Sequence, residues 1–332
     1  MRHVSILSLV CGLALAAAPL AACCPDDECL KALGLWTPTA IKFPGNASAY
    51  HLRGDHLISV NDKDRVVIVD LKQGKSFDVG SAKGKRWHDG DIADGQVLVI
   101  AGDRLQAIAL DTGKMVHDVA IGAGKVYGFG FAGKGQAFLQ RGKTLDILEL
   151  ATGKTLHTIE LGETDDIRRG WTPWQRVGNR LYIVGPATTL CVIDLDTGKL
   201  RDRFSIEARH GIAALHIEGS IAYCIGSSSE VFTWGRPLNH LTAFDMERKK
   251  SHHVGIDSGF RNFSRLGSGP YGTVYVTHEN RVERFTMGGD RCGTFATPSN
   301  EPVLAVWRDR AIVAGKDQIR LLEIKETPVA RK

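Results

Sequence analysis

Four segments of the chain end alike: a run of apolar residues at strand spacing passes directly into a tight turn closed by Gly-Lys. They span 68–75, 108–114, 148–154 and 193–199, and their glycines, Gly74, Gly113, Gly153 and Gly198, lie 39, 40 and 45 residues apart. Weaker copies follow at 244–249, 285–290 and 322–325, making seven. A unit recurring at this period cannot bury its own apolar face and must stack on its neighbours, so the repeat constrains the whole fold. The region after residue 35 allows about 42 residues per copy, the size of a four-stranded propeller blade.

Each copy is locally consistent with that architecture. Leu181-Tyr182-Ile183-Val184 and Leu190-Cys191-Val192-Ile193 read as the middle strands of a blade, and the more polar Lys199-Leu200-Arg201-Asp202-Arg203-Phe204 as its outer strand. Glycine supplies positive φ in the turn, while Asp or Thr caps it through the side chain. The 37 glycines against 11 prolines fit many tight turns. With 43% hydrophobic and 24% charged residues the chain is neither disordered nor collagen-like, nor a polytopic membrane protein. The seventh copy stops near Lys325, with Pro328 close behind, whereas Thr39-Ala40-Ile41-Lys42-Phe43 is a spare strand at the other end. The expectation is that this strand completes the last blade and closes the ring.

The hydrophobic-Asp-hydrophobic-Asp-Thr-Gly-Lys hairpin resembles the PQQ-like, YVTN-like and WD40-like propeller repeats, over most of residues 36–326. The fold expected is therefore all-β: a single seven-bladed β-propeller of four-stranded antiparallel blades, closed by an N-terminal outer strand, with 327–332 as a C-terminal tail. Absence of a Trp-Asp pair at the strand ends and of a regular Gly-His departs from the eukaryotic WD40 pattern.

Residues 1–22 read as a secretory signal, with Arg2 and His3 ahead of an apolar run from Val4 to Ala18. Leu20-Ala21-Ala22-Cys23 resembles the lipobox of bacterial lipoproteins. The resemblance implies that Cys23 is lipidated and becomes the mature N-terminus, that 23–35 is a tether, and that Cys24, not being Asp, directs the protein to the outer membrane, facing the periplasm. Ordinary cleavage near Ala22, giving a soluble periplasmic protein, is the alternative. Cys24, Cys29, Cys191, Cys224 and Cys292 are the remaining cysteines of the mature chain. Cys24 with Cys29 is the nearest pairing in an oxidising compartment, while Cys191 and Cys224 read as buried hydrophobes. No Cys/His spacing suggests a metal site.

In such a blade the connections from outer strand to next inner strand, and from second to third strand, share one rim, opposite the Gly-Lys turns. That rim collects Trp87, His88, Asp89, Asp91, Arg168, Arg169, Trp171, Trp174, His210, Phe232, Trp234 and Arg261 as candidate binding residues. Trp and Arg in loops on rigid strands give contact area and forked hydrogen bonding. Trp87, Trp171 and Trp174 have an alternative role in packing between blades, and Arg168 and Arg169 in pairing with Asp165 and Asp166. His252 and His253 fall on an outer strand, exposed.

Serine-hydrolase, zinc-protease, Walker and dinucleotide signatures are missing from the sequence. The formal net charge of +5 carries no contiguous basic block, so nucleic acid is not an expected partner. The reading is a lipid-anchored, monomeric envelope propeller that binds a protein partner and needs no cofactor. In this it resembles the propeller lipoproteins of the outer-membrane protein assembly machinery, which usually have eight blades. The rival is a quinoprotein-like enzyme holding PQQ or a metal at the channel mouth, among His88, Asp89, Asp91, Arg168, His210 and Arg261.

Overall fold

The repeated turn is the element from which each sheet is built. The computed structural model describes residues 40–45, 47–133, 135–162, 172–206, 212–227, 239–256, 265–268, 273–278, 280–286, 290–297, 302–315, 317–325 and 327–328. In six of the seven copies the strands flanking the turn pair antiparallel. Where the leading strand ends in Asp, that carboxylate caps the turn: Asp70 accepts from the Gln73 N–H at 2.7 Å, and Asp194 from the Thr197 N–H at 2.9 Å. Where it ends in Ala109 or Glu149, Thr112 and Thr152 take over, each accepting from the N–H two residues on. The Thr197 N–H and the Arg201 guanidinium together hold the Asp194 carboxyl down at about 2.

The glycine of the turn meets a second demand. Gly153 and Gly198 adopt φ of 74° and 63°. A Cβ on Gly153 would lie 2.7 Å from Val119, and one on Gly198 would collide with the His157 ring. Each of these turns thus folds over the outer strand of the preceding blade. The fifth copy, which has no glycine, keeps the conformation by forcing Lys249 to φ 54°.

Seven antiparallel sheets result. From inner to outer strand, blade one is Ala47–Arg53, His56–Asn61, Arg65–Asp70 and Lys75–Ser81. Blade two is Lys85–Ala93, Gln96–Ala101, Arg104–Ala109 and Met115–Ala120. Blade three is Gly128–Gly133, Gln136–Arg141, Thr144–Glu149 and Thr155–Glu160. Blade four is Trp174–Val177, Arg180–Val184, Thr189–Asp194 and Lys199–Ser205. Blade five is Ile212–Glu218, Ile221–Ser227, Asn239–Asp245 and Lys250–Ile256. Blade six is Arg265–Ser268, Val274–His278, Arg281–Phe285 and Arg291–Ala296. Blade seven is Val303–Trp307, Arg310–Gly315, Gln318–Glu323 and, from the other end of the chain, Ala40–Lys42.

The middle strands are sandwiched between neighbouring blades and are buried on both faces. Val66–Val69 is accordingly a continuous apolar run, where a half-exposed strand would alternate. Outer strands are the reverse: in Thr155–Glu160 only Ile159 is buried. His252 and His253 are exposed as expected. Apolar clusters among the described residues occur at all seven blade boundaries. Cys191 and Cys224 belong to them, and burial pushes their thiols up to about 11 and about 12, which keeps them unreactive.

Closure follows the expected route. Ile41 pairs with Ile319, and the Phe43 N–H donates to the Asp317 carbonyl at 2.9 Å. Ile41 and Phe43 enter the cluster that joins Leu304, Trp307 and Leu321 of blade seven to Leu57, Val67 and Val69 of blade one. Trp307 Nε1 donates to Asp55 at 2.8 Å across the same boundary. The chain end, read from sequence as a tail, makes a further contact: Thr327–Pro328 pairs with Gly293 and Thr294 as a fifth strand on the outer edge of blade six. It takes the route that the turns of other blades take over their preceding neighbour.

Two expectations follow. Phe43→Ala should cost about 3–5 kcal/mol, the range for deleting a buried aromatic ring, measured as a lowered urea midpoint. Gly198→Ala should destabilise, whereas Lys249→Gly should stabilise by about 1 kcal/mol by relieving a left-handed backbone. Opposite shifts in the two melting temperatures are the check.

Candidate functional site

Several of the residues singled out from sequence, namely Cys23, Arg168, Arg169, Trp171, His210, Phe232, Trp234 and Arg261, lie outside the described residues. So do the side chains of His88 and Asp89, whose backbone falls in a bulged stretch of the inner strand of blade two, between Arg86 and Asp91. Trp87 is buried at the boundary of blades one and two, among Ile58, Ile68, Val97 and Val99. Trp174 is buried too, edge-on to Phe138 with ring centroids 4.9 Å apart. Gly130 makes room for it: a Cβ there would stand 2.6 Å from the indole. Both tryptophans take the packing role.

Trp174, Asp91 and two residues that sequence reasoning missed meet at the axis. The Arg53 guanidinium, at the end of the inner strand of blade one, lies 4.0 Å from the centroid of the Trp174 ring on blade four. Its Nε is 4.0 Å from Asp91 of blade two. Asp91 accepts from the Phe131 N–H of blade three at 2.8 Å, and Arg176 Nη1 donates to the Phe131 carbonyl at 3.3 Å. Four consecutive inner strands are tied together, a job their backbones cannot do because inner strands of different blades form no common sheet. Gln175 continues the stitching by exchanging two hydrogen bonds with the Ile217 backbone of blade five. Burial pushes the Asp91 carboxyl up, partly offset by Arg53, the Phe131 and Ile92 N–H groups and Arg176. Arg53 was detectable only as a charge closing an inner strand just before the Gly54-Asp55 turn. Gly130 carried a clearer signal, since Gly in a strand interior marks close approach.

The two rims differ. On one, inner strands return through two-residue turns such as Gly54-Asp55, Asp94-Gly95 and Gly178-Asn179. At the opposite rim lie the strand ends Glu160, Trp174, Ser227, Asn239, Ile256 and Arg265, between which the sequence runs longest; 163–171, 228–238 and 257–264 lie outside the described residues. On blades two and three this rim is cationic. Arg86 Nη1 donates to the Val126 carbonyl, and Arg141 Nη2 to the Ile121 carbonyl, both in the glycine-rich connection 121–127. Lys125 of that connection stands 4.7 Å from the Tyr127 ring, and Lys85 5.3 Å from Trp87. Among the described residues, no three His, Cys, Asp or Glu side chains are grouped to hold a metal ion.

No family model and no curated protein matches the sequence. Among solved structures the fold is similar to that of BamB from Moraxella catarrhalis, at 11% identity and a TM-score of 0.57, covering 87% of this chain and 99% of that one. At that identity the likeness concerns the β-propeller fold.

The Asp91 geometry predicts a pH signature. Its native carboxyl lies above the unfolded value of about 4. The stabilising contribution of the protonated group is full below that pH and is lost as pH rises through the native value. Asp91→Asn retains an acceptor for the Phe131 N–H and has no such slope. As pH rises from about 4 through the native value, the urea midpoint of Asp91→Asn should therefore gain on that of the wild type; a constant difference would contradict the assignment.

Proposed function

We propose that this protein is a lipid-anchored propeller of the bacterial cell envelope that acts as a protein-binding scaffold, in the manner of an outer-membrane assembly factor. The observation that carries the reading is the asymmetry of the strand ends: at one rim they are joined by tight, regular turns, and at the other they are separated by the longest stretches of sequence, which hold Trp171, Trp234, Arg168, Arg169 and Arg261. A rigid ring of sheets presenting variable loops on one side is suited to recognition. An axis bridged by Arg53, Asp91 and Trp174 leaves these groups to structural work and favours the rim as the place of contact. The likeness in fold along nearly the whole of BamB supports the same reading, as does the Leu-Ala-Ala-Cys sequence ending at Cys23. Attachment through Cys23 would hold the ring at the periplasmic face of the outer membrane, within reach of a membrane-embedded partner.

The test is native mass spectrometry of the protein released gently from its own envelope. Wild type should carry lipid and a second protein. Cys23→Ala should move to the soluble fraction without the lipid mass. The triple variant Arg168→Ala/Arg169→Ala/Trp234→Ala should stay on the membrane but lose the partner. Retention of the partner by the triple variant counts against the loop surface, and a cofactor-sized mass in place of a protein counts against the scaffold.

A further inference from the structure

The basic character of the chain, which looks dispersed along the sequence, is gathered by the fold. Four connections share the rim of blades two and three: 82–84, 102–103, 121–127 and 142–143. They are bound to one another. The Ile121 N–H donates to the Asp103 carbonyl at 2.9 Å, while Arg86 and Arg141 reach carbonyls at the two ends of 121–127. Lys83, Lys125 and Lys143 of these connections and Lys85, Arg86 and Arg141 at the adjoining strand ends stand against Asp103 and against Asp62 and Asp64 of the neighbouring turn, where the Asp64 carbonyl accepts from the Ala82 N–H at 2.7 Å. Asp146, in the adjoining strand Thr144–Glu149, lies 3.8 Å from Arg141.

We infer that the rim of blades two and three is a docking surface for an acidic segment of a partner protein. The inference rests on the scaffold reading and adds the chemistry of the partner. Charge complementarity selects an anionic occupant. The form of the site selects carboxylates on a protein over a lipid surface. Two of its cations are guanidinium groups, half-buried and fixed by bonds to backbone carbonyls, with Arg86 also 5.7 Å from the Phe129 ring. Such planar, oriented groups match the geometry of individual carboxylates, whereas attraction to a bilayer is served by freely moving lysines. Exposed Lys83 and Lys125 flank them and steer the approach.

The experiment uses the full-length protein and a fluorescein-labelled peptide of about ten Asp and Glu residues, followed by anisotropy at low and at physiological salt. Lys83→Glu/Lys85→Glu/Lys125→Glu should bind about tenfold more weakly than wild type, the loss expected of three screened ion pairs, and its affinity should depend less on salt. The control Lys72→Glu/Lys114→Glu/Lys154→Glu, on the opposite rim, should bind as wild type does. Equal losses in both variants, or none in either, would overturn the inference. So would binding to phosphatidylglycerol vesicles that survives competition by the peptide, since that marks a lipid surface. The partner mass in the native spectra tests the scaffold separately: a partner retained by the Lys-to-Glu variant and lost by the Arg168/Arg169/Trp234 variant would remove this docking surface while leaving the scaffold intact.

Discussion

A ring of blades is stable only if it closes, and here closure depends on three residues from the far end of the chain. Ala40–Lys42 supplies the outer strand of blade seven, so that a segment from before the first blade and the last blade form one sheet. Without it the outer edge of Gln318–Glu323 would be unpaired, and the apolar side of blade one that meets blade seven would lose Ile41 and Phe43. An exposed edge and an open apolar face are the two features that lead all-β proteins to aggregate. Backbone pairing, apolar burial and the Trp307–Asp55 hydrogen bond all act at this boundary. The boundary joins residues some 250 positions apart, a contact whose loop-closure cost must be met before any of its stabilisation is gained.

The parts of this fold that are local in sequence were legible, because their chemistry is complete within a few residues. The turn after each third strand needs a cap and a left-handed residue, and Asp194 with Gly198 states both in five positions. Alternation between Asp and Thr as the capping residue explains why the consensus looks loose while the geometry is constant. The spare strand at 39–43 was legible too, since a blade lacking an outer strand and a strand lacking a blade imply each other. The packing of each turn glycine on the preceding outer strand was not, because His157 is no closer to Gly198 in sequence than many other residues. Nor was the strand formed by Thr327–Pro328, where proline occupies the edge of a sheet and needs no N–H on its open side.

The candidate site divides along the same line. Asp91 and Trp174 drew notice as residue types suited to binding, but their partners are Arg53 and Gly130, which carry no motif. Composition identifies a tryptophan as capable of recognition; only the neighbouring strand decides whether its ring meets a ligand or fills the space above a glycine. The charge pattern shows the converse. Lys83, Lys125 and Lys143 lie some 20 to 40 residues apart, so no sequence window registers them as a block. The blade repeat has nearly that length, and it returns the chain to the same rim once per copy.

The axis and the rim are consequences of one arrangement. Inner strands run side by side without hydrogen bonding to one another, and something other than a backbone ladder has to fasten them. Here side chains do it: Asp91 on Phe131, Arg176 on Phe131, Gln175 on Ile217, and Arg53 across to Trp174. Burying Arg53 and Asp91 is costly for each alone and tolerable as a pair with a backbone donor and an aromatic face. Groups committed in this way are held by the fold and are poorly placed to exchange partners with a ligand. On the opposite rim Arg86 and Arg141 are likewise bonded to backbone carbonyls, but the connections between the strands there expose Lys83 and Lys125. These connections are free to carry lysine where the strands beneath require apolar residues, and charge therefore collects where the ring meets its surroundings.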